Sequence, residues 1–131
     1  FYSGHHLEGK FDDIFKKMAK DKPTVAVTEG IDSESLLEEN GLVDPHIWFD
    51  PELWINAVDL VEKELSSQYP THKDEFKKNA DAYREKLKEL HKTLLSRIEE
   101  ISEDQRVLVT AHDGAMTRGR IKMTYVRWRT C

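Results

Sequence analysis

Between Val43 and Trp54 the chain reads Val-Asp-Pro-His-Ile-Trp-Phe-Asp-Pro-Glu-Leu-Trp, and no other stretch leaves its backbone so few choices. Each proline fixes its own φ and pushes the residue before it, Asp44 or Asp50, out of the α region, so the connector around His46 is expected to be extended and stiff. Pro51 followed by apolar residues at helical spacing predicts a helix with proline in its first turn and Asp50 as its N-cap. His46 then sits just ahead of a helix start. An imidazole placed among carboxylates suits metal binding, because a ligating histidine usually donates its second N–H to a carboxylate or carbonyl. The same arrangement also suits a packed loop with a satisfied histidine, so other residues must decide.

The rest of the chain supplies a small α/β pattern. Phe1-Tyr2-Ser3-Gly4 reads as the end of a strand running into a turn. Leu7, Phe11, Ile14 and Met18 mark one apolar face of a helix over 7–20, and Thr24–Thr28 is a β-branched run of buried-strand length. Residues 31–42 are acidic and read as a surface loop with a possible capped turn from Ser33 to Asn40. Leu53, Ala57, Leu60, Val61 and Leu65 mark a helix over 51–67. Phe76, Ala80, Tyr83, Leu87, Leu90, Leu94, Ile98 and Ile101 then extend a stripe over 71–102, a rod of roughly 48 Å at the α-helical rise. A domain of this length has a radius of gyration of roughly 14 Å, so such a rod is expected to run along a larger object or to pair with another helix. Arg106–Ala111 restores strand character, with His112 and Asp113 at its C-terminal end, where α/β proteins place ligands.

Charge is distributed unevenly. The last 18 residues hold five basic side chains and no acidic one, so the −5 of the 131-residue chain is −10 on residues 1–113 offset by +5 on the tail. The body is unlike a nucleic-acid binder and better suited to attracting cations. Arginines interleaved with Tyr125 and Trp128 make the tail readable as an exposed strand, as an RNA-binding arm, or as a segment foreign to the preceding fold, and the abrupt change at residue 114 favours the last. Cys131 is the single cysteine and can form no internal disulfide. No run approaches the ~20 apolar residues of a membrane span, and nothing at the N-terminus looks like a signal peptide.

Of the six histidines, His5, His6, His46 and His112 fall at turns or strand ends, whereas His72 and His91 lie on the charged long helix and are expected to be solvated. There is no HExxH, CxxC or G-x-S-x-G pattern.

Three blocks in order resemble the metal-binding receptors of manganese/zinc ABC importers, two-lobed solute-binding proteins with one long helix joining the lobes. Phe1-Tyr2-Ser3-Gly4-His5-His6-Leu7-Glu8 is similar to the block ending in Gly-x-His-Leu-Glu, Asp44-Pro45-His46-Ile47-Trp48 to the Asp-Pro-His-x-Trp block, and Val109-Thr110-Ala111-His112-Asp113 to the third. The resemblance implies metal ligands at His6, His46 and His112, with His5 the variable residue. It implies an incomplete lobe of the two-lobed fold, with parallel strands flanked by helices, plus a long backbone helix. Residues 1–70 would be a partial N-terminal α/β lobe with two ligand loops and 71–102 the interlobe helix. Residues 103–113 would be the first strand of the second lobe with the third ligand, and 114–131 a basic tail that does not match. The family's fourth ligand, a distant aspartate, has no counterpart here, and Gly114–Arg118 departs from the small and aromatic residues expected.

Such a receptor captures Mn2+ or Zn2+ outside the cytoplasm and delivers it to an ABC permease without bond chemistry, so no enzyme activity is expected. Three imidazoles and a carboxylate suit zinc, and raw affinity would rank zinc above manganese. The acidic stretch 29–43 lacks the histidines of zinc-specific members, which points toward manganese. Two other classes remain open. A metal hydrolase would use three histidines and Glu8 or Asp113 as general base. A non-catalytic helical interaction module would be built on 71–102, with the histidines incidental. Under the receptor reading the Leu87, Leu90 and Leu94 face of that helix is expected to be partly uncovered without the second lobe, so the chain should self-associate.

Overall fold

The computed structural model describes residues 1–39, 41–110 and 124–127. Its N-terminal part is organised by one parallel bridge, Tyr2 opposite Ala26. Three backbone bonds hold it: Tyr2 N to Val25 O at 3.0 Å, Val27 N to Tyr2 O at 2.8 Å, and Thr28 N to Ser3 O at 3.2 Å. The strand expected over 24–28 is thus a single bridge, because Val27–Gly30 coils into a 3₁₀ turn. The crossover helix is also shorter than the apolar spacing suggests. A 3₁₀ turn, Gly9–Phe11, leads into α1 (Asp12–Met18). His5, His6 and Gly9 all carry positive φ, and left-handed residues cannot extend a right-handed helix toward residue 7. The face marked by Phe11, Ile14 and Met18 is exposed, and the side chain that packs inward is Phe15, 4.6 Å from the Tyr2 ring centroid.

Within 31–42 the capped turn is Ser33–Ser35, shorter than expected and capped by Asp32, whose carboxylate accepts from Glu34 N at 3.1 Å. A minimal antiparallel hairpin follows, β1 (Glu38–Glu39) against β2 (Leu42–Val43). A 3₁₀ turn, Ile47–Phe49, then delivers the chain to α2 (Pro51–Gln68). Asp50 caps α2 as the sequence predicts, with Oδ1 accepting from Glu52 N at 2.8 Å and Leu53 N at 3.4 Å.

The core gathers where α2 lies on the Val27–Gly30 and Ile47–Phe49 turns: Ile31, Ile47, Leu53 and Ala57, with Val27, Leu36 and Trp54 against them. Gly30 is needed for that approach. A Cβ there would meet Leu60 Cβ at 2.9 Å and the Asn56 carbonyl at 3.1 Å.

Pro70–His72 forms a tight turn into α3 (Lys73–Glu99), a rod of about 40 Å that starts two residues later and ends three earlier than 71–102. It pairs with α2 in reverse order, since Asp59 and Glu62 face Arg84 while Glu52 faces His91. Ala80 and Leu87 are buried, so Leu87 is covered where an open face was expected, and Leu90 stays 47% exposed. Beyond a 3₁₀ turn at Glu103–Gln105, β3 (Val107–Thr110) pairs in parallel with β4 (Thr124–Arg127). Part of the basic tail is therefore joined to the preceding strand by a backbone ladder. No helix among the described residues is long and apolar enough to cross a membrane.

One guanidinium fastens the helix pair. Arg84 reaches Glu62 at 2.5 Å, Asp59 at 2.6 Å and Asp81 at 2.7 Å, and its side chain is only 17% exposed. The Glu62 contact raises its pKa further above the ordinary guanidinium value, outweighing partial burial, and Asp59 adds to the effect. Removing Arg84 would leave Glu62, 19% exposed, without its countercharge. Arg84→Ala should lower stability by roughly 2 kcal/mol in urea unfolding, since an uncompensated part-buried charge costs more than a lost neutral bond. Lys77→Ala, which removes an exposed pair to Asp81, should leave the midpoint unchanged.

Candidate metal centre

Two of the three expected ligands lie on described residues; His112 lies outside them. His6 stands on the loop that leaves the Tyr2 bridge. Gly4 has φ +96°, and a Cβ on it would sit 2.4 Å from Thr28 Oγ1 and 2.9 Å from Ala26 Cβ, so only glycine fits. The loop is closed from within by Glu8, whose carboxylate accepts from Ser3 N at 2.5 Å and Gly4 N at 3.1 Å. Thr28 Oγ1 donates to the Ser3 carbonyl at 2.8 Å and ties the loop to the 3₁₀ turn that α2 packs on. His5 and His6 are held at φ +49° and +60°. Such left-handed conformations cost energy for residues bearing a Cβ and cluster at binding sites.

The His6 ring is 76% exposed, with Nδ1 2.6 Å from Oδ2 of the nearly buried Asp12. A carboxylate at Nδ1 selects the tautomer protonated there and puts the lone pair on Nε2. His46 repeats the arrangement: Asp44 Oδ1 accepts from His46 N at 3.0 Å and lies 2.5 Å from Nδ1. The Trp48 ring meets the His46 ring edge-on at 5.2 Å and limits its rotation. Both imidazoles thus carry the outer-shell carboxylate that a metal-ligating histidine usually has. They hang from one scaffold, because α2, which ends the His46 loop, docks on the same Val27–Gly30 turn that holds the His6 loop.

His5 behaves differently. Its Nε2 is buried with no hydrogen-bond partner among the described residues. Burial pushes its pKa down, His6 adds to the effect and Glu29 opposes it. Carboxylates crowd this end of the molecule: burial raises the Tyr2 pKa first, and Glu29, Asp12 and Glu8 raise it further. Glu8, the described candidate for a general base, uses both oxygens on backbone N–H groups, which argues against the hydrolase reading.

Two features were not anticipated from the sequence. Asp12 is 8% exposed on α1, and its pairing with His6 depends on a loop whose course no periodicity reveals. His91 is not solvated: its side chain is 16% exposed and faces Glu52. Its spacing from Leu87 and Leu94, four and three residues on the buried stripe, is the signal that would have found it. A cavity of about 450 Å3 between α2 and α3 is lined by Trp54, Val61, Phe76 and Tyr83 among others. Glu62 is its one charged wall, so it offers no metal chemistry.

The loop geometry makes a prediction. Gly4→Ala should lower the thermal midpoint and weaken zinc binding together, because its Cβ collides with Thr28 and Ala26. Gly9→Ala meets nothing within 4 Å and should cost only the ~1 kcal/mol of a left-handed alanine, with zinc affinity unchanged by calorimetry.

The family model described as ZnuA, zinc-uptake complex component A periplasmic, matches residues 1–117. The chain is 46% identical over 114 residues to the manganese-binding lipoprotein MntA of Bacillus subtilis (strain 168), a match covering 86% of this chain and 37% of that protein. It is 33% identical over 119 residues to the metal ABC transporter substrate-binding lipoprotein SloC of Streptococcus mutans serotype c, covering 85% of this chain and 39% of that one. Among solved structures, the periplasmic zinc binding protein TroA from Treponema pallidum superposes with a TM-score of 0.89 at 32% identity, over 96% of this chain and 46% of that structure. The chain therefore spans little more than a third of the curated relatives it matches. On these matches it belongs to the ZnuA family, the zinc-uptake complex component A proteins.

Proposed function

We propose that this chain forms part of an extracytoplasmic receptor that captures a divalent transition metal, Mn2+ or Zn2+, and delivers it to the membrane subunit of an ABC permease. The observation that carries the reading is the repeated pairing of His6 with Asp12 and His46 with Asp44, each carboxylate at Nδ1. His6, His46 and His112 bind the metal, and a carboxylate from elsewhere in a longer protein completes the shell. Residues 1–70 act as part of one lobe, 71–102 as the interlobe helix and 103–113 as the first strand of the second lobe. The parallel pairings at Tyr2 and at β3 are the starts of parallel sheets that a longer chain would complete. Capture needs no general base, so the receptor has no enzymatic turnover.

Metal affinity is the test. Calorimetry with zinc or manganese chloride should show His46→Ala weakening the tightest event at least 100-fold. Asp44→Asn should weaken it about 10–100-fold, as loss of an outer-shell partner does. Parent-like affinity in His46→Ala would refute the assignment, and metal-dependent hydrolysis of model esters would favour the hydrolase.

Exposed apolar side chains at Phe11, Ile14, Met18 and Leu90 should make the isolated chain associate with itself. Sedimentation velocity over a tenfold concentration range should show a rising weight-average mass, and a constant monomer mass would contradict this.

A further inference from the structure

We infer that Asp50, Glu52 and His91 form a second divalent-cation site, distinct from the transport ligands, that clamps the start of α2 to α3. One donor atom from each of the three lies within 4.8 Å of the others. They come from two helices: Asp50 and Glu52 from the cap and first turn of α2, and His91 from the far half of α3.

The imidazole makes this more than a patch of acid. His91 sits with 16% of its side chain exposed, and its Nε2 is 3.9 Å from Glu52 Oε1, beyond hydrogen-bond reach and wide enough to admit an ion between them. Asp50 is 5% exposed and held by its capping bonds through Oδ1. A carboxylate accepts several bonds at once, so capping and ligation are compatible. Glu52 is 47% exposed.

Zinc bonds of roughly 2.0–2.2 Å set neighbouring donors of a tetrahedron about 3.4 Å apart. The triad therefore needs to contract by up to about 1.4 Å to hold zinc. Two carboxylates and an imidazole leave a fourth position for water and neutralise a divalent charge. The positive end of the α2 dipole opposes a cation here, and the negative charge of the two carboxylates offsets it. Zn2+ fits the mixed nitrogen and oxygen set better than Ca2+ or Mg2+, which prefer oxygen alone.

The site is tested by zinc calorimetry on the full chain. The His6→Ala/His46→Ala double variant should still bind one zinc, and adding His91→Ala should weaken that event at least tenfold. Glu52→Gln, a change at a half-exposed position that leaves the helix pair intact, should do the same. A double variant that binds no zinc overturns the inference, as does residual binding that neither His91→Ala nor Glu52→Gln weakens. Zinc lost with His91→Ala but unaffected by His46→Ala would sink the transport assignment while leaving this site standing.

Discussion

The capping bonds of Asp50 to the first turn of α2 are what the rest of the molecule depends on. They end the Asp44–Phe49 connector at a defined point, and Pro51 makes the direction of the helix unambiguous. From that start α2 places Leu53 and Ala57 over Ile31 and Ile47, and it carries Asp59 and Glu62 to Arg84. The histidine ahead of the cap and the long helix behind it are thus positioned by the same short segment. A shift of α2 would move the His46 loop, the core and the helix pair together.

Four acidic side chains perform three different tasks at this end of the protein. Glu8 closes the loop bearing His6, Asp12 and Asp44 orient imidazoles, and Asp50 caps a helix. Each accepts from backbone or ring N–H groups, which is why carboxylates as buried as Asp12 and Asp50 are tolerated here. The same groups give the body its negative balance and draw cations toward the loops. The ligand tautomers and the local field therefore come from one set of residues.

The helices were legible in the sequence because their signals are local. Pro51, Asp50 and the stripe from Leu53 to Leu65 locate α2 to within a residue, and the stripe from Phe76 to Ile101 locates α3 but overruns its end at Glu99. The N-terminal elements were less so. The apolar spacing of Leu7, Phe11, Ile14 and Met18 suggests a longer helix, but positive φ at His5, His6 and Gly9 delays its start. The β-branched run at 24–28 yields one bridge, since strand length depends on partners remote in sequence. For the candidate site, His6, His46 and Asp44 were readable from their motif blocks. Asp12 and His91 were not, because each meets its partner only through tertiary packing.

Zinc K-edge X-ray absorption counts the imidazoles around a bound metal without assuming which residues supply them, and so tests whether His6, His46 and His112 share one ion. On the His91→Gln variant loaded with half an equivalent of zinc, the account predicts a nitrogen and oxygen shell at roughly 2.0–2.1 Å with the multiple-scattering pattern of three imidazoles. A spectrum with one imidazole or none, or a shell of oxygen alone, would contradict the assignment of His6, His46 and His112 to one metal.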